Sequence, residues 1–348
     1  MRNSFFATAA VLAVVVAISV VAPASGQAPK KYNPPKTPWG DPDLQGVWND
    51  ATSTPLQRPA TIGEKTILSD EEAEDFQQSL AFDLSRDRRD GGNAADVNRA
   101  YNEHWMDARR LKITADRRTS LIVDPVDGRI PTLATVSPER QRVRATRAEA
   151  AARFAAGLPD DFTDMSWPVR CVVRTDVPPY LPTIYNNNFQ IFQSPGYVTI
   201  APEMIHSARI IPVDGRPHLN KSLRQWLGDT RGHWEGSTLV IETTNFNGKV
   251  GLTRNGNTLL TSADLKLVER LTRIDANTLQ YEATVDDPAT WTRPWKVAMP
   301  FTLHPEYQFF EYACHEGNYA MRNILSAERA AEKAKPAPPP ASGTASQP

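Results

Sequence analysis

The stretch LKLVERLTRIDANTLQYEATVDD, Leu265 to Asp287, decides the fold. Leu265 to Ile274 and Thr278 to Val285 read as two strands, with Asp275-Ala276-Asn277 as the turn between them, because Asp and Asn side chains bond their own backbone and tolerate tight turns. The same pattern runs outward in both directions. Asp286-Asp287-Pro288 turns the chain toward strands expected at Trp295 to Leu303 and Gln308 to Cys314. On the N-terminal side, Phe189 and Ile191 alternate with polar neighbours, Ser194-Pro195-Gly196 turns, and strands follow at Tyr197 to Ile200, Ser207 to Val213 and Ser237 to Thr243. Many strands at short spacing, with no helices alternating between them, predict a mainly β protein: an antiparallel barrel or curled, calycin-like sheet.

A helical segment at about 69–157 interrupts this pattern. Ser69-Asp70-Glu71-Glu72 is a capping box, in which the serine hydroxyl and the glutamate each satisfy a backbone N–H at the helix start. Ala73, Phe76, Leu80 and Leu84 then recur at helical spacing, and Gly91-Gly92 ends the run. Ser137-Pro138 starts a second helix that stops before Gly157. Its body of Arg and Ala reads as a solvated surface helix, with a polyanion-binding face as the alternative. The string PVDGR occurs at Pro125 to Arg129 and again at Pro212 to Arg216, each time after an apolar run. Duplication and convergent turn chemistry both account for it.

The 348 residues carry a formal net charge of -1, which gives no electrostatic reason to expect a nucleic-acid partner. Arg2, the apolar run Phe5 to Ala22 and the small residues Ala24-Ser25-Gly26 read as a signal peptide over 1–26, with an uncleaved anchor as the alternative. After cleavage no later segment is apolar enough for stable membrane insertion. The expected location is therefore periplasmic or secreted. Residues 27–40 read as an extended Pro- and Lys-containing leader, 41–328 as one β-rich domain, and 329–348 as a disordered tail. In an oxidising compartment the two cysteines, Cys171 and Cys314, are expected to form a disulfide.

PDLQGVW (Pro42 to Trp48), EMIHSARIIPVDGRPH (Glu203 to His218), HWEGSTLVIETTNF (His233 to Phe246), VDDPATWTRPW (Val285 to Trp295) and FEYACHEGNY (Phe310 to Tyr319) resemble a family of secreted bacterial proteins common in environmental genomes. The resemblance covers nearly all of the mature chain and implies one continuous domain. No established activity comes with it, so it carries over no catalytic residue. Gly46-Val47-Trp48 is also similar to the first strand of lipocalin-like barrels, where the Trp closes one end; a core Trp on any strand is the other reading.

Function has to be argued from side chains. No nucleophile elbow, His-Glu-x-x-His, Cys-x-x-Cys, phosphate loop or dinucleotide fingerprint is present. Glu203, His206, Arg209 and His218 lie in the densest acid, base and imidazole run of the chain. On a regular strand His206 and Ile210 face one way and Arg209 and Ile211 the other. If His206 faces inward, Glu203 or Glu242 can pair with it for general-base chemistry. Trp291, Arg293 and Trp295, at two-residue spacing, suggest a guanidinium between two indoles, either as a structural ladder or as a wall for a ligand carrying a ring or a carboxylate. His315 and Glu316 follow Cys314 into a Gly turn, and the loop at Tyr185 can meet them. His206, His218 and His315 have no local ligand spacing, so no metal site is assigned.

These readings converge on an exported barrel-like protein that binds a small apolar or aromatic molecule. Two alternatives stay open: an acid–base hydrolase, isomerase or lyase that uses no organic cofactor, and an envelope interaction protein. Oligomeric state is not legible.

Overall fold

In the computed structural model of the protein, residues 32–85, 87–88, 90–93, 106–107, 112–135, 137–157, 159–174, 177–183, 185–205, 207–249, 251–254 and 257–334 are described. Among the described residues there are twelve strands: β1 (Gly46–Asn49), β2 (Ile122–Asp124), β3 (Asn188–Ser194), β4 (Tyr197–Pro202), β5 (Arg209–Pro212), β6 (Asp229–Glu235), β7 (Thr238–Thr244), β8 (Gly251–Arg254), β9 (Asn257–Leu260), β10 (Lys266–Arg273), β11 (Thr278–Asp286) and β12 (Trp295–Leu303). The hairpin that opened the sequence reading is β10–β11, paired from Lys266 with Asp286 to Arg273 with Leu279. Burial alternates along both strands: Leu267, Glu269 and Leu271 point inward with Leu279, Tyr281, Ala283 and Val285. Two-residue periodicity requires this when one face is core. Glu269 alone breaks the apolar set.

Nine strands run in the order β5-β4-β3-β1-β12-β11-β10-β7-β6, all antiparallel, and β2 adds a short pairing to β12. The two ends of this order come together. A Cβ placed on Gly232 of β6 would lie 2.9 Å from Cγ2 of Ile211 in β5 and 3.0 Å from Cγ1 of Val213, so the backbone approaches there as only glycine allows. The sheet is thus nearly closed into a barrel. Its inside is filled by Trp48, Phe189, Tyr281, Trp295 and Phe301, with Tyr281 stacked on Phe301 at 4.7 Å and Phe189 set edge-on to Phe301 at the same separation. Strands β8 and β9 form a separate hairpin.

Among the described residues, three α-helices of fifteen or more residues accompany the sheet: α1 (Asp70–Leu84), α2 (Pro138–Ala155) and α3 (Ala320–Ala334). The capping box at Ser69 and Glu72 is formed, and Ser137 caps α2 by accepting from the Arg140 N–H. Two sequence expectations differ from the structure. Gln308 to Cys314 is not a strand, and its last residue is joined to Cys171 by a disulfide. Residues 329–334, read as tail, complete α3. Met321, Ile324, Leu325 and Glu328 form its less exposed stripe at helical spacing, and Arg329 Nη2 donates to the Pro159 carbonyl at 3.2 Å. Residues 335–348 and the expected signal segment lie outside the described residues. Among the described residues no helix is long and apolar enough to cross a membrane.

Candidate functional site

In β5 the inward face carries Arg209 and Ile211, while Ile210 is 64% exposed. β5 begins only at Arg209, and His206 lies outside the described residues. Arg209 does not wait for a ligand. Its Nη2 and Nη1 donate to Glu269 Oε2 and Oε1 at 2.6 and 3.1 Å, Nη1 also to Tyr180 Oη at 3.2 Å, and Nη2 to Thr243 Oγ1 at 3.1 Å. The Tyr281 hydroxyl donates to Glu269 Oε1 at 2.8 Å and accepts from the Tyr180 N–H at 3.1 Å. Burial, and then Glu269, hold that hydroxyl protonated well above the ordinary tyrosine range.

Glu203 belongs to a second buried group at the C-terminal end of β12. Asn188 Nδ2 donates to Glu203 Oε2 at 3.2 Å, the Tyr307 hydroxyl donates to Oε1, and His304 stacks on Tyr307 at 5.0 Å. Asn49 Nδ2 bridges Asn188 Oδ1 at 2.9 Å and Asp107 Oδ2 at 2.7 Å. Burial and the Glu203 contact push the Tyr307 hydroxyl up. His218 is held elsewhere, its Nδ1 2.8 Å from Oδ2 of buried Asp229, which also accepts from the Leu219 N–H at 2.9 Å and from Arg231 Nη1 at 2.7 Å. Sequence reasoning missed Asp229, which opens the unrecognised strand β6.

Trp291, Arg293 and Trp295 do not form the expected wall. Trp291 and Trp295 are both core residues, edge to face at 5.5 Å, while exposed Arg293 donates to Asp124 Oδ1 at 2.6 Å. The Trp291 and Thr290 N–H groups both bond the Asp287 carbonyl, so the chain turns there and two-residue spacing does not mean one face. Cys171 and Cys314 are joined, with Cα atoms 5.7 Å apart, and Tyr185 packs beside them against Met204 and Ile205. Tyr185 also accepts from Arg174 Nη1 at 3.2 Å. His315 and Glu316 are exposed beyond the disulfide. A disulfide with one sulfur buried points to an oxidising, extracytoplasmic setting.

A cavity lies at the other end of β12. It is a cleft of about 430 Å3 between α2 and the loops where β7 ends, β10 begins and β11 ends, which the ladders place side by side. This is within the size range of small-molecule sites, about 300–1,000 Å3. Arg140, Arg144 and Arg147 come from α2 at helical spacing, and Asn247, Leu260, Ser262, Ala263, Asp264 and Ala289 face them. Arg140 docks the helix, donating to the Ala289 carbonyl and, at 2.9 Å, to Thr290 Oγ1. Arg144 and Arg147 have no hydrogen-bond or ion-pair partner among the described residues, and desolvation lowers the pKa of Arg147. The facing wall is fixed by Asp287, whose buried carboxyl accepts from Ser262 N at 2.6 Å, Ser262 Oγ at 2.7 Å and Thr290 Oγ1 at 2.6 Å. In a smaller hollow of about 230 Å3 both arginines are already engaged: Arg58 with Thr119 and Val126, Arg118 with Asp116 and the Ala298 carbonyl.

Among the described residues no group of three or more His, Cys, Asp and Glu is placed to hold a metal ion. Comparison with protein-family models, with curated proteins and with solved structures finds no match for the chain.

Proposed function

We propose that this is an exported small-molecule-binding protein, related to the secreted bacterial proteins its motifs resemble, and that its ligand occupies the cleft under α2 rather than the barrel interior. The observation that carries this reading is a cavity of about 430 Å3 whose wall presents two guanidinium groups that have no partner among the described residues. Preformed concavity with few convergent polar groups is what small-molecule sites have in common. Among the described residues the barrel interior is filled by packed aromatics and by the Arg209–Glu269 ion pair, in which Arg209 Nε has no acceptor. The acid–base alternative rests on a histidine outside the lining described for this cleft.

That alternative is a cofactor-independent enzyme, and the contact favouring it is His218 Nδ1 at 2.8 Å from Asp229. A carboxylate that fixes the imidazole tautomer is the arrangement of a general base. A His218→Ala variant that lost turnover of a ligand identified below, at unchanged affinity, would move the assignment to catalysis.

Native mass spectrometry of the mature protein from its own envelope or medium tests the binding reading. A retained small molecule, absent from a Val143→Trp variant that fills the cleft, is the expected result. Retention unchanged in Val143→Trp would place the ligand elsewhere.

A further inference from the structure

The side chains in the cleft also specify what kind of molecule it takes. We infer that the cleft is an organic-acid site, in which one carboxylate is held by Arg144 and Arg147 while an apolar body lies against Val143, Leu260 and Ala263. This inference rests on the cleft being the binding site.

Arg144 and Arg147 are three residues apart on α2 and therefore lie on one helical face, with neighbouring side chains converging on one region. Both are only partly exposed, and neither finds an acceptor among the described residues. The other arginine on this stripe, Arg140, is committed to the Ala289 carbonyl and Thr290. The contrast matters because a guanidinium cannot discharge in a protein: it carries its charge into the cleft and either stays hydrated or meets an anion. Two like charges three residues apart on a helix also repel, and a carboxylate between them converts that repulsion into two charge-assisted bonds.

The facing wall narrows the class further. Val143, Leu260, Ala263 and Ala289 provide an apolar lining that a bare inorganic anion would leave unused. Asp264 adds a carboxyl on that wall. Its charge works against a second acid group at the far end of the ligand and suits a hydroxyl there, since a carboxylate accepts and does not donate. The combination fits a small monocarboxylic acid with an aromatic or compact aliphatic body. It fits a polyanion poorly, because Asp264 would oppose the second charge.

Isothermal titration calorimetry of the full chain with benzoate, benzamide and inorganic phosphate tests this, alongside the Arg144→Gln/Arg147→Gln variant, whose melting temperature is checked for an intact fold. Benzoate is expected to bind at least about tenfold more tightly than benzamide or phosphate, and to lose about tenfold or more in the double variant. Equal binding of benzoate and benzamide in the cleft overturns the anion and leaves the small-molecule reading standing. Equal binding of phosphate overturns the organic body. Benzoate affinity that survives the double variant, or no benzoate binding while native mass spectrometry finds a molecule that Val143→Trp expels, overturns the inference without touching the cleft. Failure of both measurements removes the two readings together.

Discussion

Arg209 reaches across the inside of the barrel to Glu269, guanidinium to carboxylate through two bonds of 2.6 and 3.1 Å, with 3% and 0% of the two residues exposed. The pair joins β5, at one end of the strand order, to β10, near the other. It therefore ties together the parts of the sheet that no ladder connects. A buried pair of this kind is not necessarily more stable than apolar residues in its place, but breaking it leaves one charge alone in the core.

Arg209→Met or Glu269→Leu alone should each cost about 3–5 kcal/mol in urea unfolding, and the double variant should recover much of that loss. Strictly additive losses would mean that the two groups act separately. Ligand binding in the cleft should survive in the fraction that stays folded.

The seam makes a second demand, at Gly232. A valine there would set its Cβ 2.9 Å from the Ile211 methyl. Overpacking of this kind costs roughly 1–3 kcal/mol. Gly232→Val should lower the melting temperature, while the same change at Gly236, where a Cβ meets nothing within 4 Å, should act only through its positive φ. Hydrogen exchange is expected to quicken first along β5 and β6.

Reduction separates the disulfide from the barrel. Cys171 and Cys314 are 143 residues apart in sequence, and losing a native bridge commonly costs about 2–5 kcal/mol. Cys171→Ser/Cys314→Ser should unfold at lower denaturant by that amount, and wild-type protein in reductant should match it. The mass of the unreduced protein should show no free thiol.

Asp287 is expected to matter for the cleft without touching what binds there. Its carboxyl holds Ser262 and Thr290, and Thr290 in turn anchors Arg140 of α2. Asp287→Ala leaves three donors without their acceptor, at about 1–3 kcal/mol each at most. It should weaken benzoate binding together with stability. Arg144→Gln/Arg147→Gln should weaken binding alone.

Local chemistry was legible wherever it was local. The β10–β11 hairpin, the capping box at Ser69 and Glu72, and the serine cap of α2 all follow from neighbouring residues. Strand β6, DTRGHWE, was hidden because its Gly and charged residues mask the alternation that only the seam explains. The strand expected at Ser207 to Val213 put Arg209 and Ile211 on one face, but alternation cannot say which face is inside; that depends on Glu269, sixty residues later. The arginines of α2 were visible as a charged helix. Their cleft was not, because Asn247, Ser262 and Asp264 reach it only through the order of β7, β10 and β11.

The most direct measurement is methyl-resolved NMR during a benzoate titration, with Val143 and Leu260 reporting on the cleft and Leu239 and Leu271 on the barrel interior. Shifts that saturate at Val143 and Leu260 while Leu239 and Leu271 stay still are the predicted result. Saturating shifts at Leu239 and Leu271 with a silent cleft would contradict it, and would return the ligand to the inside of the barrel.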